Sequence, residues 1–137
     1  MFNEVYRLCS SYYNTETLNH CRRIGQRAVQ LGWDEEVVAA CYLHELLVVR
    51  YDEYYEALQE IKAINENVAK IVDKVTKKEK ETWPQYYYRI YLVKEAAQVV
   101  WLDALDTMVD CDEVTLQRIH KDLFHVYSGI HKYITTS

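Results

Sequence analysis

The chain has 137 residues, half of them hydrophobic, so it can bury one hydrophobic core and fits a single domain over 1–137. Three glycines and one proline are too few for the frequent turns of a β-sandwich or β-barrel. The formal net charge of −5 argues against general nucleic-acid binding, which needs a basic face to neutralise phosphates.

Apolar residues recur at helical spacing along most of the chain, and capping residues mark where several helices should begin. Asn14 and Thr15 offer cap oxygens to a second helix, Asp34 to a third, and Thr82 precedes a helix with Pro84 in its first turn. The expected helices span about 2–12, 15–32, 34–49, 52–64, 68–76, 82–94, 99–108 and 113–134, with a polar loop at 77–81. The sequence thus predicts an all-α bundle of about six to eight helices.

Two of these helices carry a clear apolar stripe. The stripe of the second helix consists of Cys21, Ile24, Ala28 and Leu31. On the third helix, Val37, Cys41, His44 and Val48 share one face at steps of three and four residues, so His44 should point into the core.

The sequence contains no window of 18 apolar residues, and residues 1–4 lack the basic and then apolar pattern of a secretory signal. We therefore expect a cytoplasmic protein that does not bind membranes. Cys9, Cys21, Cys41 and Cys111 lack the C-x-x-C spacing of redox and zinc motifs, so in a reducing compartment they should act as small hydrophobes.

Four ionisable residues fall inside apolar helical stretches. They are His20, His44, Glu45 and Asp103. A buried ionisable group must be neutralised, paired or bound to a metal, because burying its charge without a partner costs on the order of 5 kcal/mol. Two imidazoles and two carboxylates form a ligand set for Mn²⁺, Fe²⁺, Zn²⁺ or a similar ion. The alternative is a buried hydrogen-bond network without metal.

The order of these residues resembles the H…HD…D pattern of the HD-domain metal-dependent phosphohydrolases. Within that superfamily, three stretches are similar to the RelA/SpoT-type guanosine polyphosphate 3′-pyrophosphohydrolase domain. These stretches are His20–Glu45, which resembles an H-x(23)-HD segment, Val68–Thr76, which resembles V-x-x-I/L-V-x-x-V-T, and Glu81–Met108, which carries Tyr86, Arg89 and Asp103 at matching places. The resemblance implies an HD-domain helical bundle.

The resemblance also implies roles for individual residues. His20, His44, Glu45 and Asp103 would bind the metal, Mn²⁺ first among Mn²⁺, Fe²⁺, Zn²⁺ and Mg²⁺, with Glu45 and Asp103 as the catalytic carboxylates. The expected partner is a small-molecule nucleotide or phosphate ester, and formation of a homo-oligomer is left open.

Five positions are candidates for substrate binding: Arg23, Arg27, Lys74, Tyr86 and Thr107. Arg23 and Arg27 lie one and two turns beyond His20 on nearly the same helix face, where they would meet phosphates or simply face solvent. Lys74 adjoins the Val-Thr signature, Tyr86 occupies the family's tyrosine place, and Thr107 replaces its ribose-side asparagine.

Three departures from the family pattern concern activity. Glu45 replaces the aspartate of the HD pair, and Val48 and Val49 stand where many of the hydrolases carry two acids that handle the attacking water. Three functions therefore remain open: a metal-dependent phosphohydrolase, a catalytically reduced HD domain that binds a nucleotide or a protein without turnover, and a structural helical adaptor.

Overall fold

The computed structural model describes residues 1–107, 112–121 and 124. Within them the chain is helical, without β-strands, which confirms the predicted all-α class. The helices are α1 (Phe2–Tyr12), α2 (Thr15–Gln30), α3 (Glu35–Leu43), α4 (Leu46–Val49), α5 (Tyr54–Ile64), α6 (Glu66–Val75), α7 (Trp83–Tyr91) and α8 (Lys94–Thr107), with a 3₁₀ turn at Tyr51–Glu53. Residues 113–121 are also helical. The chain forms two compact units, Met1–Thr76 and Lys77–Ser137.

In the Met1–Thr76 unit, polar side chains cap the start of three helices, and two of them, Asn14 and Asp34, are at predicted positions. The side chains of Asn14, Asp34 and Asn65 accept hydrogen bonds from backbone N–H groups of the first turns of α2, α3 and α6. Gly32 follows α2 with φ of +73°, a left-handed conformation that suits glycine after a helix. Local chemistry thus determines where these helices begin and end.

Helix α3 is the centre of this unit, because it packs against α1, α2 and α6. Every residue from Val37 to Leu43 is buried. The contact with α2 is close: a Cβ atom added to Gly25 would lie 2.4 Å from Cε2 of Tyr42. Glycine at this position therefore lets α2, which carries His20, approach α3, which precedes His44.

Two details differ from the predicted helix pattern in this unit. The third helix does not continue to Val49, because His44 and Glu45 form a turn between α3 and α4. Val48 consequently leaves the buried stripe and is 54% exposed. On α2, Cys21, Ile24 and Ala28 are buried as predicted, whereas Leu31 lies beyond the last turn and is exposed.

In the Lys77–Ser137 unit, α7 and α8 pack against each other. Thr82 and Gln85 form a capping box at the start of α7. The predicted boundary near Lys94 was misplaced: α7 ends at Tyr91, and Lys94 begins α8. The predicted last helix is helical at 113–121, and most of its remainder lies outside the described residues.

Within the described residues, no helix combines the length and apolar character needed to cross a membrane. Cys9, Cys21 and Cys41 are buried, in agreement with their predicted role as small hydrophobes. Cys111 lies outside the residues that the structure describes.

Candidate metal centre

The turn between α3 and α4 leaves backbone carbonyl groups at the end of α3 that need hydrogen-bond donors. Side chains supply these hydrogen-bond donors. Tyr13 Oη donates to the carbonyl oxygen of Tyr42 at 2.9 Å, and Cys9 Sγ donates to the same oxygen at 3.4 Å. Burial raises the pKa of the Cys9 thiol to about 12 and that of the Tyr13 phenol well above its usual value, so both remain protonated donors.

The third of these contacts comes from His44 itself. Its Nδ1 atom lies 2.7 Å from the carbonyl oxygen of Cys41. A carbonyl oxygen can only accept, so Nδ1 carries the proton and donates it. When the imidazole is neutral, its lone pair is then on Nε2. Metal-binding histidines in proteins usually have this arrangement, with the second ring nitrogen hydrogen-bonded to a carbonyl or carboxylate.

The ring of His44 faces two other candidate ligands in the same unit. Its Nε2 atom lies 3.3 Å from Oε1 of Glu45, and its ring centroid lies 5.2 Å from that of His20 at an interplanar angle of 65°. One ligand atom from each of the three residues can be chosen so that all lie within 4.8 Å of one another. His44 is buried, while His20 and Glu45 are half-buried.

These separations suit a divalent ion. An ion about 2.1 Å from each of two donors at a tetrahedral angle holds them about 3.4 Å apart, close to the separation between His44 Nε2 and Glu45 Oε1. Mixed nitrogen and oxygen donors are accepted by several transition metals, so the donor set does not select one metal.

The fourth predicted ligand, Asp103, lies on α8 in the Lys77–Ser137 unit and is half-buried. Its role as a metal ligand stays a prediction. Its backbone carbonyl accepts a hydrogen bond from Thr107 Oγ1 at 2.7 Å, so the Thr107 hydroxyl has a partner within its own helix.

The predicted substrate-binding residues are found in different settings. Arg23, Arg27 and Lys74 are exposed in the Met1–Thr76 unit. Tyr86, in the other unit, is buried on α7 and packs against Trp83 with ring centroids 5.8 Å apart. No described contact assigns substrate binding to any of these residues, and their roles stay predictions.

Glu81 and Arg89, both within the stretch that resembles the hydrolase family, form a bidentate salt bridge. The distances are 2.6 Å from Arg89 Nε to Glu81 Oε2 and 2.8 Å from Nη2 to Oε1. Hydrogen bonds from Arg89 lower the pKa of the Glu81 carboxyl to about 2, and the Lys78 backbone N–H adds to this effect. The guanidinium also lies over the ring of Tyr86, with Cζ 5.5 Å from its centroid.

Val48 and Val49 follow the candidate ligands and are both exposed. Neither side chain can accept a proton from water. The sequence interpretation missed Arg50, which is buried beside them and contacts Glu60, Glu53 and the ring of Tyr12. An arginine directly after an apolar run is the only signal that could have singled it out. Tyr13 was also missed, and its sequence context gives no sign of its contact with Tyr42.

No protein-family model, curated protein or solved structure matches this chain. The similarity to HD-domain hydrolases therefore depends on the residues and motifs named above.

Proposed function

We propose that the protein is a divalent-metal-dependent phosphohydrolase that acts on a nucleotide phosphate or pyrophosphate, with an HD-like site. The observation that carries the proposal is the convergence of His20, His44 and Glu45 together with the tautomer of His44. Metal-binding histidines usually have this arrangement, in which Nδ1 donates to a carbonyl group and Nε2 is directed at the other ligands.

In this proposal Asp103 is the fourth ligand, and Mn²⁺ is the first metal to test. A bound divalent ion neutralises charge on a phosphoryl group and makes water more acidic. The protein's own contribution is orientation: the Cys41 carbonyl fixes the ring of His44, and the close packing of α2 on α3 at Gly25 fixes the separation of the two histidines.

The same residues favour a low rate. Val48 and Val49 cannot act as general bases, and general-base assistance typically contributes about 10²–10⁴ in rate. This observation favours the second candidate function, an HD-like domain that binds a nucleotide without turnover. We therefore expect slow or no hydrolysis of guanosine tetraphosphate, even with Mn²⁺, and better activity on simpler phosphate esters.

Turnover assays separate the two candidates. The wild-type protein is incubated with Mn²⁺ and a panel of nucleotides and phosphate esters that includes guanosine tetraphosphate, and released phosphate and pyrophosphate are measured. The hydrolase proposal predicts turnover that is lost in Asp103→Asn and retained in Asp52→Asn, a control at an exposed aspartate. Nucleotide affinity without turnover supports the second candidate. Absence of both metal and nucleotide binding overturns both.

A further inference from the structure

An aromatic groove lies along one face of α7, within the Lys77–Ser137 unit. Its volume is about 450 Å³, within the range of sites that bind small ligands or short peptide segments. The lining residues are Trp83, Pro84, Tyr87, Tyr88, Tyr91 and Lys121. Steps of four along the helix place Trp83, Tyr87 and Tyr91 on one face, with Tyr88 beside them.

Much of this aromatic surface is accessible to water. Trp83 is 42% exposed and Tyr88 is 69% exposed. Tryptophan and tyrosine are enriched in protein interfaces, because they bury a large rigid surface and still present a hydrogen-bond donor. An aromatic strip that is part of a concave surface is therefore typical of a binding site.

The charges at the groove are positive although the chain is acidic. Among the described lining residues, Lys121 is the only charged one. Lys77 Nζ lies 4.9 Å and Arg118 Cζ 5.5 Å from the centroid of the Trp83 ring, so two further cations adjoin the aromatic surface. Charge complementarity indicates a ligand that carries negative groups beside an apolar surface.

The packing of Trp83 favours one kind of anionic ligand over another. Tyr87 stacks on Trp83 with centroids 5.8 Å apart, and Lys77 and Arg118 lie over the same ring, so these contacts reduce the area of the Trp83 ring on which a nucleobase could stack. A peptide does not need an open ring face. Its carbonyl groups accept hydrogen bonds from phenol and indole groups, and its apolar side chains fill the spaces between rings.

We propose that this groove binds an acidic peptide segment of a partner protein, in which apolar side chains contact Trp83, Tyr88 and Tyr91 and carboxylates pair with Lys121 and its neighbouring cations. The proposal is independent of the metal centre. It does not require the protein to hydrolyse anything, so the two proposals can fail separately.

The test is a selection of random twelve-residue peptides displayed on phage against the purified full-length chain. The most enriched peptide is then synthesised with a fluorophore, and its binding is measured by fluorescence anisotropy. We expect enriched peptides to combine Asp or Glu with Leu, Pro or aromatic residues. Their affinity should fall at least about tenfold in Tyr88→Ala and in Lys121→Glu, and it should weaken at high salt.

Tyr55→Ala is the matched control, because Tyr55 is 70% exposed but lies in the other unit. Circular dichroism melting shows whether each variant is folded. Three results overturn the proposal: no enrichment, enrichment of basic peptides, and equal affinity for wild type and Tyr88→Ala. Tighter binding of a labelled oligothymidylate than of any selected peptide, lost in Lys121→Glu, would identify a single-stranded nucleic-acid site instead.

Discussion

The Nδ1 atom of His44 donates a hydrogen bond to the carbonyl oxygen of Cys41, three residues earlier, across 2.7 Å. The acceptor is a backbone group that becomes available because α3 ends before His44. The helix break and the ring orientation are therefore two aspects of one local structure. It places Nε2 on the side of the ring that faces Glu45.

If the candidate centre binds metal, Mn²⁺ should raise the melting temperature, because a ligand that binds only the folded state stabilises it by about 2.7 kcal/mol at one hundred times its Kd. His44→Ala should abolish this gain and lower the metal content of protein purified without chelator. His120→Ala, which changes an exposed histidine outside the centre, should retain both. Equal responses of the two variants would contradict the metal assignment.

Glu45 is one methylene longer than the aspartate of the HD pattern, so Glu45→Asp tests whether the site is built around the longer side chain. In a working site the substitution should lower turnover, because it moves the carboxylate by about one bond length. In a site without activity the substitution should restore little hydrolysis, because Val48 and Val49 still supply no acidic side chain. A large gain in hydrolysis would be incompatible with both expectations.

Tyr13→Phe removes one of the donors to the Tyr42 carbonyl at the end of α3. We expect a loss of about 1 kcal/mol in the free energy of unfolding, at the low end for a buried hydrogen bond because Cys9 Sγ still donates to that oxygen. Urea denaturation measures the loss. Tyr55→Phe, at an exposed tyrosine, should leave the midpoint unchanged, and an equally small effect in Tyr13→Phe would mean that the hydroxyl is not needed there.

The sequence predicted the all-α class and most helix positions because apolar spacing and capping residues act locally. Asn14, Asp34 and Thr82 begin their helices as expected. It did not predict the turn at His44 and Glu45, because the Tyr42 carbonyl before that turn accepts hydrogen bonds from residues far away in the sequence, Cys9 and Tyr13.

The same difference between local signals and long-range contacts applies to the candidate site. Two imidazoles and a carboxylate could be identified by residue type and burial, and the structure brings His20, His44 and Glu45 together. The salt bridge between Glu81 and Arg89 joins a loop to a helix eight residues away, a separation longer than the three or four residues between side chains that meet on one helix. Side chains of opposite charge at such a spacing are common in sequences, and only the fold shows which of them meet.

Gly25 allows α2 and α3 to approach each other, so Gly25→Ala should destabilise the protein. The new Cβ atom would lie 2.4 Å from the Tyr42 ring, which is itself packed edge-on against Tyr6. We expect a loss of about 1–3 kcal/mol in the free energy of unfolding, despite the better helix propensity of alanine. The cost should shrink in a Tyr42→Leu background, where the smaller side chain makes room. Equal costs in both backgrounds would show that this contact is not the cause.

The salt bridge between Glu81 and Arg89 should make stability depend on pH in the acid range. The pKa of Glu81 falls from 4.5 to about 2 in the folded protein, so its contribution is complete above pH 4.5 and is lost as the pH falls toward 2. Glu81→Gln should cost about 1.5–3 kcal/mol at pH 7, typical of hydrogen bonds to charged groups. Urea denaturation at intervals from pH 7 to pH 2.5 measures the free energy of unfolding of both proteins. The difference between the two free energies should narrow only below about pH 4.5. Glu56→Gln, at an exposed position on α5, should follow the wild type throughout. If the difference in free energy stays constant down to pH 2.5, the assigned pKa is contradicted. The pKa of Glu81 would then be the same in the folded and unfolded states.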